Sequence, residues 1–162
     1  MERRLTQGRT VGTARPEVVA PVDSRAHELL ARADGELLAA QFSPEAWEQF
    51  SHAHLAALRA GAAVIAARGR PGGRRAPRTV WEMLVLVAPE LAGWAEYFAG
   101  SAALRSSVDA GRFDAVSPER AEQAVSAAED FVDAARALVE EAVHAWAPAA
   151  GRPPRTLTVR AS

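Results

Sequence analysis

One stretch of this sequence combines side chains that could bind a phosphate group and move a proton. It extends from Gln49 to Arg68 and has the pattern of a single long helix, which glycine and proline end soon afterwards. An imidazole titrates near neutral pH, so a histidine here could accept a proton from a hydroxyl group and return one to a leaving oxygen. An arginine could hold a phosphate through its charged donors, and a glutamine could donate hydrogen bonds without charge. The candidate catalytic residues are His54, Gln49, Arg59 and His52.

Helical spacing divides these candidates between two faces. Apolar residues recur every three or four positions, as in a helix with one buried stripe, and that stripe comprises Trp47, Phe50, His54, Leu58, Gly61 and Ile65. His54 should therefore point inward, either as a catalytic residue or as a structural core histidine. Gln49, His52 and Arg59 follow a second stripe, which is available to a partner. His52 and Arg59 lie ~10.5 Å apart along the axis, so they could hold one phosphodiester between them, unless this face is simply solvated.

Three segments of the chain carry a resemblance to a known family. They are Gln49–Arg59 with the sequence QFSHAHLAALR, the arginine-rich loop Arg68–Arg78, and Trp81–Leu91, which contains WEML and VAPEL. Together they resemble the HEPN superfamily of small helical-bundle proteins, and in particular a single-domain actinobacterial branch. The resemblance covers residues 23 to 146.

The resemblance implies a function and an assembly. Many HEPN proteins are metal-independent ribonucleases that use an arginine and a histidine four to six residues apart, in a site that a two-fold dimer completes. His54 matches the histidine, whereas Gln49 stands where the family has arginine. The resemblance therefore implies a homodimer that binds RNA and is a weak or degenerate endoribonuclease. The alternative is a non-catalytic dimeric module for protein interaction.

The loop after this helix concentrates positive charge. It contains five arginines and no acidic residue, whereas the whole chain has a net charge of −1. Clustered arginines gain affinity for nucleic acid because phosphates release their counterions on binding. We therefore predict that RNA is contacted by Arg68, Arg70, Arg74, Arg75 and Arg78. The alternatives are a solvated connection and a docking site for an acidic protein partner.

Composition narrows the remaining classes of function. The 162 residues include no cysteine, which excludes thiolate metal sites and cysteine nucleophiles. No glycine-rich phosphate loop or cofactor motif occurs, and the acidic residues near the C-terminus fall on the solvent side of a helix, so we expect neither a metal nor a cofactor. All 19 basic residues are arginine, which indicates a high-GC bacterium. The absence of a long apolar run predicts a cytoplasmic protein without membrane association.

Besides the RNA-binding protein and the protein-interaction module, a third interpretation is a helical bundle that binds a small ligand in a site lined by Trp81 and Trp94.

The apolar periodicity is helical throughout and predicts an all-α fold. We expect an up-and-down bundle of four to five HEPN-like helices over residues 23–147, between disordered tails at 1–22 and 148–162. The third helix, Val80–Ala88, is apolar on nearly every side and should be the most buried.

Local signals predict where the helices begin and end. Ser43 should cap the second helix, with Pro44 at its first position and Phe42 packed on Trp47 as a hydrophobic staple. The remaining boundaries are a capping box over Thr79–Glu82, a break at Pro89 and a last helix that starts at Ser117-Pro118.

Overall fold

The computed structural model describes residues 21–73 and 79–146, and every regular element in these two ranges is helical. The α-helices are α1 (Pro21–Phe42), α2 (Ala46–Arg68), α3 (Val80–Val87), α4 (Ala92–Gly100), α5 (Ala102–Asp109) and α6 (Pro118–Trp146). Short 3-10 turns at Pro89–Leu91 and Phe113–Ala115 precede α4 and α6. The predicted all-α fold is confirmed. Residues 21 and 22 belong to α1 rather than to a tail, and the rest of both predicted tails lies outside the described residues.

The bundle is built on three long helices, with α2 at its centre. α2 packs along both α1 and α6, and the shorter α3 packs against it as well. A row of alanines on α2 is fully buried, namely Ala53, Ala56, Ala57, Ala60 and Ala63. Because alanine extends little beyond the backbone, the neighbouring helices can approach toward the lower end of the usual distance of ~8–10 Å between axes. The alanine-rich face of α2 is therefore used inside one protomer.

α3 is less buried than its composition predicts. Trp81 faces the core, but Val85 and Leu86 are 41% and 63% exposed. α3 meets α2 at Gly61, where an added Cβ atom would lie 2.9 Å from a Cγ atom of Val80. The missing side chain thus lets one side of α3 come close to α2, while Val85 and Leu86 on another side stay exposed. The prediction that α3 is the most buried helix is wrong, because hydrophobicity alone does not determine which faces are covered.

Several helix boundaries follow from local sequence as predicted. The backbone N–H of Glu82 donates to the Thr79 hydroxyl and the N–H of Thr79 donates to the Glu82 carboxylate, each at 3.1 Å, so the capping box of α3 is present. α2 ends at Arg68, and Gly69 follows with a positive φ of 97°. Pro89 ends α3 and opens a 3-10 turn. These signals act within a few residues, so sequence alone can locate them.

The junction between α1 and α2 differs from its prediction. α2 begins at Ala46, later than predicted, and its N-cap residue makes no side-chain capping bond. The hydroxyl of Ser43 donates instead to a backbone carbonyl in the last turn of α1, at 2.9 Å. Phe42 is 80% exposed, and its predicted partner Trp47 stacks on Phe113 with ring centroids 4.3 Å apart. The predicted staple is therefore absent.

Two polar contacts join α1 to α6. The Arg136 guanidinium donates to the Asp34 carboxylate at 2.6 Å, and the Gln41 amide donates to the Glu129 carboxylate at 3.2 Å. Asp34 precedes Gln41, whereas Arg136 follows Glu129, so the two helices run antiparallel. Both contacts are exposed, and each contributes little to stability by itself.

Candidate functional site

His54 lies inside the bundle, as its helical spacing predicts. It is 6% exposed, and the rings of Phe50, Trp81 and Phe98 surround it at centroid distances of 6.0 to 6.3 Å. Its Nδ1 atom is buried and has no hydrogen-bond partner in the described part of the chain. A buried polar atom without a partner costs about 1–3 kcal/mol. His54 is thus an aromatic-caged residue with one unsatisfied nitrogen.

These surroundings favour the neutral form of the His54 ring. Burial away from water and the positive charge of Arg105 lower the pKa of His54 to about 4, while the Asp109 carboxylate opposes the shift. The ordinary pKa of histidine is near 6.5, so the ring is uncharged at neutral pH. General-base catalysis is most effective when the pKa lies near the working pH. The burial and the lowered pKa favour a structural interpretation of His54 over a catalytic one.

Gln49 is bound to the junction between α1 and α2. Its Nε2 donates to the backbone carbonyl of Ser43 at 2.9 Å, and the residue is half-buried. Five residues separate Gln49 from His54, which corresponds to a rotation of about 140° around the helix. The two side chains accordingly lie in different environments, one at the junction and one in the aromatic core. Within one protomer they do not form a common site.

His52 and Arg59 are brought together by a residue that the sequence did not single out, Glu36 of α1. Nδ1 of His52 lies 2.6 Å from Oε2 of Glu36, and Nη1 of Arg59 lies 2.8 Å from Oε1 of the same carboxylate. The Arg59 guanidinium also donates to the backbone carbonyl of Arg32 at 3.1 Å. The position where a phosphodiester was predicted is therefore occupied by a carboxylate from the same chain. No spacing rule reveals this contact, because Glu36 belongs to a different helix.

The arginines of the predicted nucleic-acid surface have different environments. The Arg68 guanidinium lies 2.6 Å from the Glu90 carboxylate and donates to the backbone carbonyl of Val87 at 3.1 Å. A backbone hydrogen bond at Glu90 and the guanidinium of Arg68 lower the pKa of that carboxyl group. Arg70 is exposed, and no hydrogen-bond or ion-pair partner is found for it among the residues described. Arg74, Arg75 and Arg78 lie outside the described residues.

A second polar cluster joins α6 to the end of α4. The Arg120 guanidinium donates to the Tyr97 hydroxyl at 2.6 Å and to the Ser101 hydroxyl at 2.9 Å, and it lies 5.1 Å from the centroid of the Tyr97 ring. Ser101 is 2% exposed and marks the boundary between α4 and α5. The cluster provides hydrogen-bond partners for a buried hydroxyl. Sequence reasoning missed it, because its members lie on separate helices.

The two tryptophans of the small-ligand interpretation serve as packing anchors. Trp81 stacks on Phe98 with centroids 5.3 Å apart, and the Trp94 ring lies 6.0 Å from that of Phe131.

Among the described residues, no group of three histidine, aspartate or glutamate side chains is placed to hold a metal ion. In the same ranges, no helix has the length and apolar character needed to cross a membrane.

The fold and these contacts define a small helical-bundle protein whose polar residues on α2 are bound to other parts of the chain. The sequence matches the SAV_6107-like HEPN family over residues 40–136, which is more than half of the chain. The protein therefore belongs to the HEPN superfamily, as its sequence segments predicted. No curated protein and no solved structure matches it significantly.

Proposed function

We propose that this chain is a non-catalytic HEPN domain that works as a homodimer by binding a partner. The observation that carries the proposal is the Glu36 carboxylate, which engages both His52 and Arg59 on the outer face of α2. A phosphodiester between these two side chains would have to displace a carboxylate that lies within 2.8 Å of both. His52 and Arg59, which could have supplied proton transfer and positive charge, instead hold α1 against α2 through Glu36.

Gln49 and His54 support the same proposal. Gln49 carries no charge and donates its amide hydrogen to the carbonyl of Ser43, so it does not replace the arginine that neutralises a transferring phosphate. Losing one preorganised electrostatic donor typically lowers a rate by ~10²–10³-fold. His54 is enclosed by aromatic rings and holds its proton weakly. Gln49 therefore lacks the positive charge that would neutralise a phosphate, and His54 lacks the access and the near-neutral pKa that a general base needs.

RNA binding without cleavage is the second candidate function, and the exposed guanidinium of Arg70 favours it. Three further arginines follow in the sequence from residue 74 to residue 78, so positive charge is concentrated in this loop. Binding through these side chains would weaken steeply as salt increases, because each phosphate contact releases counterions. A measurable affinity for single-stranded RNA with a steep salt dependence would support this function.

The proposal is tested by incubating the purified chain with end-labelled single-stranded RNA in the presence of a metal chelator. We expect no more cleavage than with the His54→Ala variant purified in parallel, which controls for contaminating nucleases. Mass spectrometry of any RNA fragments should identify their ends, because metal-independent cleavage through the ribose 2′-hydroxyl leaves 2′,3′-cyclic phosphates. Cleavage by the wild type that produces such ends, and that His54→Ala abolishes, would show that the domain is catalytic.

A further inference from the structure

A groove lies where α1, α2 and α3 meet, at the opposite end of α2 from Gln49. It has a volume of about 440 Å³ and is lined by Arg25, Leu29, Ile65, Arg70, Val80 and Met83, together with two alanines of α2 and the glycine that follows this helix. Ile65 and Met83 are almost completely buried and form its floor. The close contact of α3 with α2 at Gly61 holds this floor in place. The groove is thus an apolar concavity built on three packed helices.

Two cations border this apolar floor. Arg25 lies in the first turns of α1 and Arg70 follows the end of α2, and both are exposed. Within the described ranges neither has a carboxylate partner, whereas Arg59, Arg68 and Arg136 each contact one. The lining residues include no acidic side chain. Over the described residues, the groove therefore combines apolar surface with positive charge that no carboxylate neutralises.

We propose that this groove binds an acidic amphipathic segment of a partner protein. Apolar side chains of the segment would pack on Leu29, Ile65 and Met83, while its carboxylates would pair with Arg25 and Arg70. An amphipathic helix that lays its apolar face into a groove is a common mode of peptide recognition. This inference specifies the partner of the binding function proposed above and rests on it.

The lining of the groove favours an acidic peptide over RNA. Single-stranded nucleic acids bind through a basic track combined with aromatic side chains on which the bases stack. No aromatic residue lines this groove, and its floor is aliphatic. Carboxylates on an apolar peptide would satisfy both properties of the site, whereas a phosphate backbone would satisfy only its charge.

The experiment uses the full chain and a fluorescein-labelled helical peptide. Its leucines are spaced alternately three and four positions apart, so that they share one face, and its other positions carry glutamates. Fluorescence anisotropy measures its affinity, and methyl NMR locates it through the signals of Leu29, Ile65 and Met83. We expect the Arg25→Glu/Arg70→Glu variant to bind this peptide at least tenfold more weakly, and its affinity to fall as salt increases. A peptide with lysines in place of the glutamates should bind the double variant more tightly than the wild type.

Arg112→Glu is the matched control, because Arg112 is exposed and lies beside Phe113, which contacts the opposite end of α2. It should leave peptide affinity unchanged, and circular dichroism should show that all three proteins are folded. Equal binding to wild type and double variant would overturn the proposal, as would methyl shifts caused by single-stranded RNA but not by the peptide. If the wild type does not bind the peptide, the groove proposal fails, but the proposal that the domain is non-catalytic stands, because the RNA-cleavage assay tests it separately.

Discussion

At the scale of single residues, His54 shows how surroundings decide the role of a side chain. Its spacing in the sequence predicts correctly that it points inward. The sequence does not predict that its Nδ1 lacks a hydrogen-bond partner among the described residues, because the rings around it come from α3 and α4 as well as from α2. A histidine in such a position links protonation to folding, and this link can be measured.

We predict that the chain loses stability as the pH falls from 6.5 to 4. The pKa of His54 is lower in the folded state, at about 4, than in the unfolded state, so the unfolded state binds more protons in this interval. The contribution of His54 to the free energy of unfolding is complete above pH 6.5, and roughly 3 kcal/mol of that contribution is lost by pH 4. Urea unfolding at a series of pH values should show this slope for wild type and a smaller one for His54→Phe.

His144→Gln serves as the control for this measurement, since His144 is an exposed histidine on α6. Its unfolding free energy should follow the wild-type pH profile. NMR titration of the imidazole signals gives the pKa of His54 directly and does not depend on any variant. A pKa near 6.5, or identical pH profiles for wild type and His54→Phe, would contradict the prediction.

At the scale of helices, contacts between elements explain what local sequence could not predict. The capping box of α3 and the glycine after α2 were predictable, because each depends on neighbours in the sequence. The packing of Phe42 on Trp47 was predicted wrongly, since Phe113 from a distant segment takes that place. For the same reason the Glu36 contact with His52 and Arg59 could be found only from the arrangement of α1 and α2.

The Glu36→Gln substitution should lower the free energy of unfolding by about 1 kcal/mol. It weakens the contacts that join α1 to α2, but His52 and Arg59 are each about one-third exposed, so water already screens both pairs. Chemical denaturation measures the change, and a double-mutant cycle with Arg59→Gln isolates the interaction between the two residues. Glu28→Gln, at an exposed position on α1, is the matched control. Equal stability of Glu36→Gln and Glu28→Gln would refute the prediction.

At the scale of the whole molecule, the distribution of exposed apolar side chains bears on assembly. The alanine-rich face of α2 is buried within the protomer and is not available to a second copy. Leu38 and Phe42 are 56% and 80% exposed and lie four residues apart, so they share one face of α1. This face leaves apolar surface exposed at the Phe42 end of α1, whereas the groove beside Arg25 lies at the other end of the same helix.

We predict a homodimer whose mass in light scattering is twice the 17.2 kDa of the chain. Phe42→Glu should convert it to a monomer, because burying an unpaired carboxylate in an apolar contact is costly. Leu86→Glu is the control, since Leu86 is an exposed apolar residue on α3. Dissociation by Leu86→Glu alone would place the contact on α3 instead. A monomeric wild type at high micromolar concentration would contradict the homodimer.

The two contacts between α1 and α6 set the register of α1 along α6. Asp34 and Gln41 are two turns apart, as are their partners Arg136 and Glu129, so sliding α1 by one turn would break both contacts together. The 22 residues of α1 form a rod of about 33 Å. The groove beside Arg25 and the exposed Phe42 side chain thus lie near opposite ends of one helix whose register along α6 is set by these two contacts.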